Sequence, residues 1–66
     1  MPIVRVEMLE GRSVDQKREL AQVYTRELAR ICGCSEASVT VVIDDVPKHN
    51  WASGGQLMAD KFPEKK

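Results

Sequence analysis

The chain has 66 residues, ten basic and ten acidic side chains and no formal net charge. A balanced chain offers no basic field for nucleic acid or an anionic membrane surface, and no stretch is long and apolar enough to span a bilayer. With 42% hydrophobic and 30% charged residues, the expectation is one globular domain over residues 1–66, whose small core calls for a disulfide, a metal or a partner chain.

Pro2 to Leu9 reads as a strand. Val4, Val6 and Met8 fall on one face, and Ile3, Arg5, Glu7 and Leu9 on the other. Gly11 breaks it. Ser13 then supplies an N-cap, with Gln16 three residues on to complete a capping box and Asp15 placed for the helix dipole. Leu20, Tyr24, Leu28 and Ile31 recur at helical spacing, and Ala21 and Val23 widen the stripe. Gly33 is a natural left-handed stop, so the helix is expected from Val14 to Cys32.

Ser35 to Ser38 reads as a short turn and Val39 to Asp45 as a second strand. Val39, Val41 and Ile43 share one face, Thr40, Val42 and Asp44 the other, and Pro47 ends the run. The pair Gly54–Gly55 marks a tight turn between two short extended pieces. The charged segment from Asp60 to Lys66 is expected to fray.

The order strand, helix, strand, hairpin defines an α+β chain. A helix of this length joins parallel strands through a right-handed crossover. One helix covers one face of such a sheet, whereas parallel sheets are usually covered on both. Val42 and Leu9 lie on faces the helix cannot reach, so the chain is expected to assemble as an oligomer.

Cys32 and Cys34 are spaced C-x-C, ill-suited to a local structural disulfide. A zinc site wants about four ligands, and the only histidine is His49. No metal is expected, and the thiols read as reduced and partly buried. No apolar h-region follows the start, so the expected location is the cytoplasm.

The start itself, MPIVRV, carries a chemical possibility. Cytosolic aminopeptidases commonly remove methionine before a small residue, which would leave Pro2 with a free secondary amine. Such a nitrogen is both base and nucleophile, and it must be unprotonated to work near neutral pH. An apolar pocket disfavours the cation, and so does a nearby guanidinium. Arg12 is the candidate for depressing the amine and for gripping an anionic substrate bidentately.

MPIVRV, LEGRS after the first strand, QK early in the helix, SVTVVIDDV as the second strand and W-x-x-GG in the hairpin stand in an order and chain length that resemble the 4-oxalocrotonate tautomerase family. The resemblance covers nearly the whole chain. It implies a β-α-β fold with a terminal hairpin, assembled as a hexamer, a trimer of dimers. It implies a cofactor-independent isomerase of aromatic-ring catabolism, in which Pro2 takes a proton from the 2-hydroxyl of a dienol such as 2-hydroxymuconate and returns it to carbon five. It implies that Arg12, reaching in from a neighbouring subunit, binds the distal carboxylate, that Trp51 walls the pocket, and that the Leu9 backbone faces the substrate. Lys48 and His49 read as solvated loop residues.

One position departs from the family. Its best-characterised members carry a second arginine where this chain has Thr40. Either an arginine such as Arg5 substitutes, or the substrate is smaller or a monoacid. Two alternatives stand beside the tautomerase. A hydrolytic relative similar to the 3-haloacrylate dehalogenases would need an acidic residue where Ser53 stands. A non-catalytic oligomeric binding protein would need no free proline at all.

Overall fold

The computed structural model of the chain describes residues 1–62. Strand β1 runs Ile3–Leu9, helix α1 Val14–Cys32 and strand β2 Thr40–Val46, and β1 pairs with β2 in parallel, from Ile3 opposite Thr40 to Leu9 opposite Val46. A hairpin follows, β3 Ala52–Ser53 and β4 Gln56–Leu57, and then a single helical turn, α2 Met58–Lys61.

Local chemistry fixes these boundaries. The Ser13 hydroxyl accepts from the Gln16 amide at 3.1 Å, and the Gln16 side-chain oxygen accepts from the Ser13 amide at 2.9 Å. Two otherwise unpaired donors at the start of α1 are thereby satisfied. At the other end Gly33 adopts φ 66°, and the Cys34 amide donates to the Ala29 carbonyl at 3.1 Å, closing a Schellman motif. Gly54 and Gly55 both have positive φ, 62° and 84°, as a tight hairpin turn with the right twist demands.

Four expectations need correction. The second strand is shifted by one residue, because the Val39 amide is taken by the Glu36 carbonyl at 3.1 Å, closing a 3-10 turn over Glu36–Ser38. The ladder then extends to Val46, where Leu9 provides a partner. The segment from Asp60 is not all frayed: Asp60 and Lys61 belong to α2, and the Phe62 carbonyl accepts from Lys48 Nζ at 3.3 Å. Residues 63–66 of the expected tail lie outside the described residues. Lys48 is accordingly half-buried rather than solvated, while His49 is exposed. Cys32 and Cys34 are free thiols, but Cys32 is exposed where partial burial was expected.

The apolar stripe of α1 also divides. Leu20, Ala21, Leu28 and Ala29 turn inward, with α1 packing on β2. Val23, Tyr24 and Ile31 remain open, Ile31 at 70% exposure. On the sheet, Val4, Val6 and Met8 are half-covered on the helix side, and Ile3 is 64% exposed on the other.

Among the described residues only Ala29 is fully buried. The accessible surface is 5202 Å², where a compact monomer of this mass presents about 4,200 Å². The radius of gyration is 15.3 Å, where a compact chain of this length has about 11 Å. The hairpin and α2 account for the elongation: they pack chiefly on each other and on the 3-10 turn Lys48–Asn50. This much surface over this little core is what the expected oligomer would cover, and association would link stability to concentration by mass action. The expected result is a melting temperature that rises with protein concentration over a hundredfold range in a calorimetric series. A concentration-independent transition at monomeric mass would contradict it.

Candidate active site

The strand that begins at Ile3 fixes where each candidate side chain lies. Pro2 stands immediately before β1, and its carbonyl accepts from the Thr40 amide at 3.0 Å, so its backbone is tied to the start of β2. The ring is half-buried. Met1 projects beyond it, 91% exposed. While Met1 is attached, the Pro2 nitrogen is a tertiary amide with neither proton nor basicity. With Met1 gone it is a secondary amine held in place by the bond through its own carbonyl.

Leu9 and Arg12 lie at the opposite end of the same strand. Six residue steps separate Ile3 from Leu9, which at the usual rise amounts to about 20 Å. The chain then leaves the sheet at Glu10, whose amide donates to the Val46 carbonyl at 3.1 Å, and passes through Gly11 at φ 120° to Arg12 and the Ser13 cap. Gly11 is required there, since a side chain at that φ is strained. Arg12 is exposed and borders an open groove with Met8, Gln16, Glu19, Leu20, Val23 and Tyr24. Within one chain Arg12 therefore cannot depress the Pro2 amine or share a substrate with it. The expectation that these two residues meet requires two chains.

Trp51 follows the far end of β2. It is half-buried, with its amide donating to the Lys48 carbonyl at 3.4 Å and its carbonyl accepting from the Met58 amide at 2.7 Å. These bonds fix the backbone from which the indole projects. Ser53, in β3, is exposed and pairs with Gln56.

Thr40 is exposed, opposite Ile3. Ladder parity puts Thr40, Ile3, Arg5 and Val42 on one face of the sheet, the face away from α1. Arg5 is exposed and, among the described residues, takes part in no ion pair. It is thus the cation that shares a surface with Thr40. Among the described residues no group of three or more His, Cys, Asp or Glu side chains is arranged to hold a metal ion. Among the described residues no helix is long and apolar enough to cross a membrane.

One contact was not singled out from the sequence. Lys17, in the first turn of α1, is ion-paired with Asp45 near the end of β2, 28 positions away. Nothing local in the sequence couples two residues so far apart. The parity of β2, which puts Asp45 on the helix side, was the available signal.

Three kinds of known protein set this geometry in context. The family model described as tautomerase enzyme matches residues 2–61. A 2-hydroxymuconate tautomerase of Comamonas testosteroni is 46% identical over 55 residues, covering 83% of this chain and 87% of that protein. The crystal structure of a 4-oxalocrotonate tautomerase homologue superposes with a TM-score of 0.89 at 37% identity, covering 94% of this chain and 98% of the other. A heterohexamer 4-oxalocrotonate tautomerase from Chloroflexus aurantiacus J-10-fl gives 0.85 at 40% identity, covering 91% and 97%.

Proposed function

The chain belongs to the tautomerase family and is an isomerase of that kind; from that premise we propose that it is a cofactor-independent enol–keto tautomerase of a 2-hydroxydienoate such as 2-hydroxymuconate, with Pro2 as the proton carrier. The observation that carries the proposal is the N-terminal arrangement. Pro2 is anchored through its carbonyl to Thr40, and Met1 is 91% exposed, so its removal disturbs no packing and leaves a positioned amine.

The reaction proceeds by one proton transfer in and one out. The neutral Pro2 amine takes the proton of the 2-hydroxyl. Electron density moves through the diene to carbon five, and the prolinium returns its proton there, giving the conjugated 2-oxo isomer. No atom is gained or lost, and the base is regenerated. Arg12 of a neighbouring chain binds the distal carboxylate and draws charge toward it as the density shifts. Trp51 walls the pocket and excludes water, which keeps the amine neutral. The Leu9 backbone lines the substrate beside Arg12.

We take the assembly to be a homo-hexamer, a trimer of dimers, in the cytoplasm, where aminopeptidases remove Met1. The partners are an anionic small molecule and further copies of the chain, with neither nucleic acid nor membrane. Thr40 sets the limit on efficiency. A missing charged hydrogen bond costs about 1.5–3 kcal/mol, or about ten- to a hundredfold in rate when it acts in the transition state.

Two measurements test these roles. Intact mass is expected to show Met1 removed, and Pro2→Ala is expected to lower kcat/KM by about a hundred- to ten-thousandfold with little change in melting temperature. Retained Met1 with no turnover would leave an oligomeric binding protein as the better description, and full activity in the variant would mean that Pro2 is not the proton carrier. Separately, Thr40→Arg is expected to raise kcat/KM for the dicarboxylate by about ten- to a hundredfold. No gain would mean that a cation already serves, and Arg5→Ala would then abolish the activity that Thr40→Arg failed to improve.

A further inference from the structure

Arg12 depends on its backbone for placement. Its guanidinium has no hydrogen bond or ion pair among the described residues. It sits in the four-residue link between β1 and α1, residues 10–13. Three ties hold that link. The Glu10 amide donates to the Val46 carbonyl at 3.1 Å, which fixes its start to the end of β2. The Ser13–Gln16 capping box closes its end onto α1. The ion pair from Lys17 to Asp45 joins the first turn of α1 to β2.

The third tie differs in kind from the others. Among the described residues it is the one side-chain hydrogen bond between α1 and the sheet. The remaining α1–sheet packing is apolar, and apolar contacts are not directional. The Lys17 and Asp45 side chains are 27% and 39% exposed, so the pair is partly shielded but far from buried. A pair in that setting adds little to overall stability. Its consequence is positional: it sets where along β2 the start of α1 rests, and so where Arg12 emerges five residues before Lys17.

We infer that Lys17, through Asp45, is a positioning residue for Arg12, setting the grip on the distal carboxylate of the substrate; the inference rests on the tautomerase reaction proposed above. A bidentate grip on a carboxylate is sensitive to displacements well below the length of a bond between heavy atoms. Loss of the pair therefore weakens recognition of that one group. The Pro2 that acts on the same substrate belongs to another chain, whose strand the Lys17–Asp45 pair does not hold.

The experiment uses the assembled, Met1-processed enzyme, with Lys17→Met, Asp45→Asn and the exchanged double variant Lys17→Asp/Asp45→Lys. Two substrates are compared, 2-hydroxymuconate and a 2-hydroxydienoate lacking the distal carboxylate. Each single variant is expected to raise KM for the dicarboxylate about three- to tenfold, with a smaller fall in kcat because Arg12 also draws charge in the transition state. KM for the monoacid is expected to stay constant, and the exchanged variant to recover most of the loss. An unchanged KM for the dicarboxylate overturns the inference. So does an equal loss on both substrates with a fall in melting temperature, which would make the pair merely structural. Arg12→Ala in parallel separates the two possible failures. If it raises KM for the dicarboxylate and Lys17→Met does not, only the positioning role is lost. If Arg12→Ala itself has no effect, the role of Arg12 in the proposed reaction is wrong, and the inference falls with it.

Discussion

β1 acts as a spacer that one chain cannot shorten. Its residues pair with β2 along the whole length from Ile3 to Leu9, so the strand is held extended, and Pro2 and Leu9 stay at opposite ends. An extended strand of this length spans about 20 Å, far more than a small dienoate can bridge. Every role proposed for Pro2 and Arg12 together is thus a statement about two chains. On the proposed reaction, assembly of this protein becomes a condition of its chemistry.

The surface of the isolated chain agrees with that condition. Ile3, Val23, Tyr24 and Ile31 are apolar and open, and Ala29 alone is fully buried among the described residues. The hairpin and α2 extend from the β-α-β unit and pack chiefly among themselves. In a symmetric oligomer, each extension and each bare face meets its counterpart on a neighbour. Trp51 is half-buried and lies between the end of β2 and the hairpin.

Much of this was legible in the chain itself. The capping box of Ser13 and Gln16 and the stop at Gly33 fixed α1 to the residue, because both ends are set by local hydrogen bonds. Gly54–Gly55 announced the hairpin, because consecutive positive φ angles suit glycine best. The second strand was misplaced by one residue, because β-branched Val39 suits a strand but its amide is claimed by the preceding 3-10 turn. The helix stripe was read as one apolar stripe, of which Leu20, Ala21 and Leu28 turn inward while Val23, Tyr24 and Ile31 stay open. Periodicity records that a face is apolar and not which molecule covers it. Pro2 and Arg12 were named from the chemistry of a free proline amine and a nearby guanidinium, and Leu9 and Trp51 through family resemblance. Their separation came only from the register of the sheet, and the Lys17–Asp45 pair only from the fold.

The most direct test is complementation between chains. Pro2→Ala and Arg12→Ala proteins are unfolded together, refolded as mixed oligomers, and assayed for ketonisation of 2-hydroxymuconate. If Pro2 and Arg12 of one site come from different chains, random mixing restores about one quarter of the sites to native composition, and the mixture is more active than either parent. If the mixture shows only the mean activity of the two parents, one chain supplies both residues and the two-chain site is wrong.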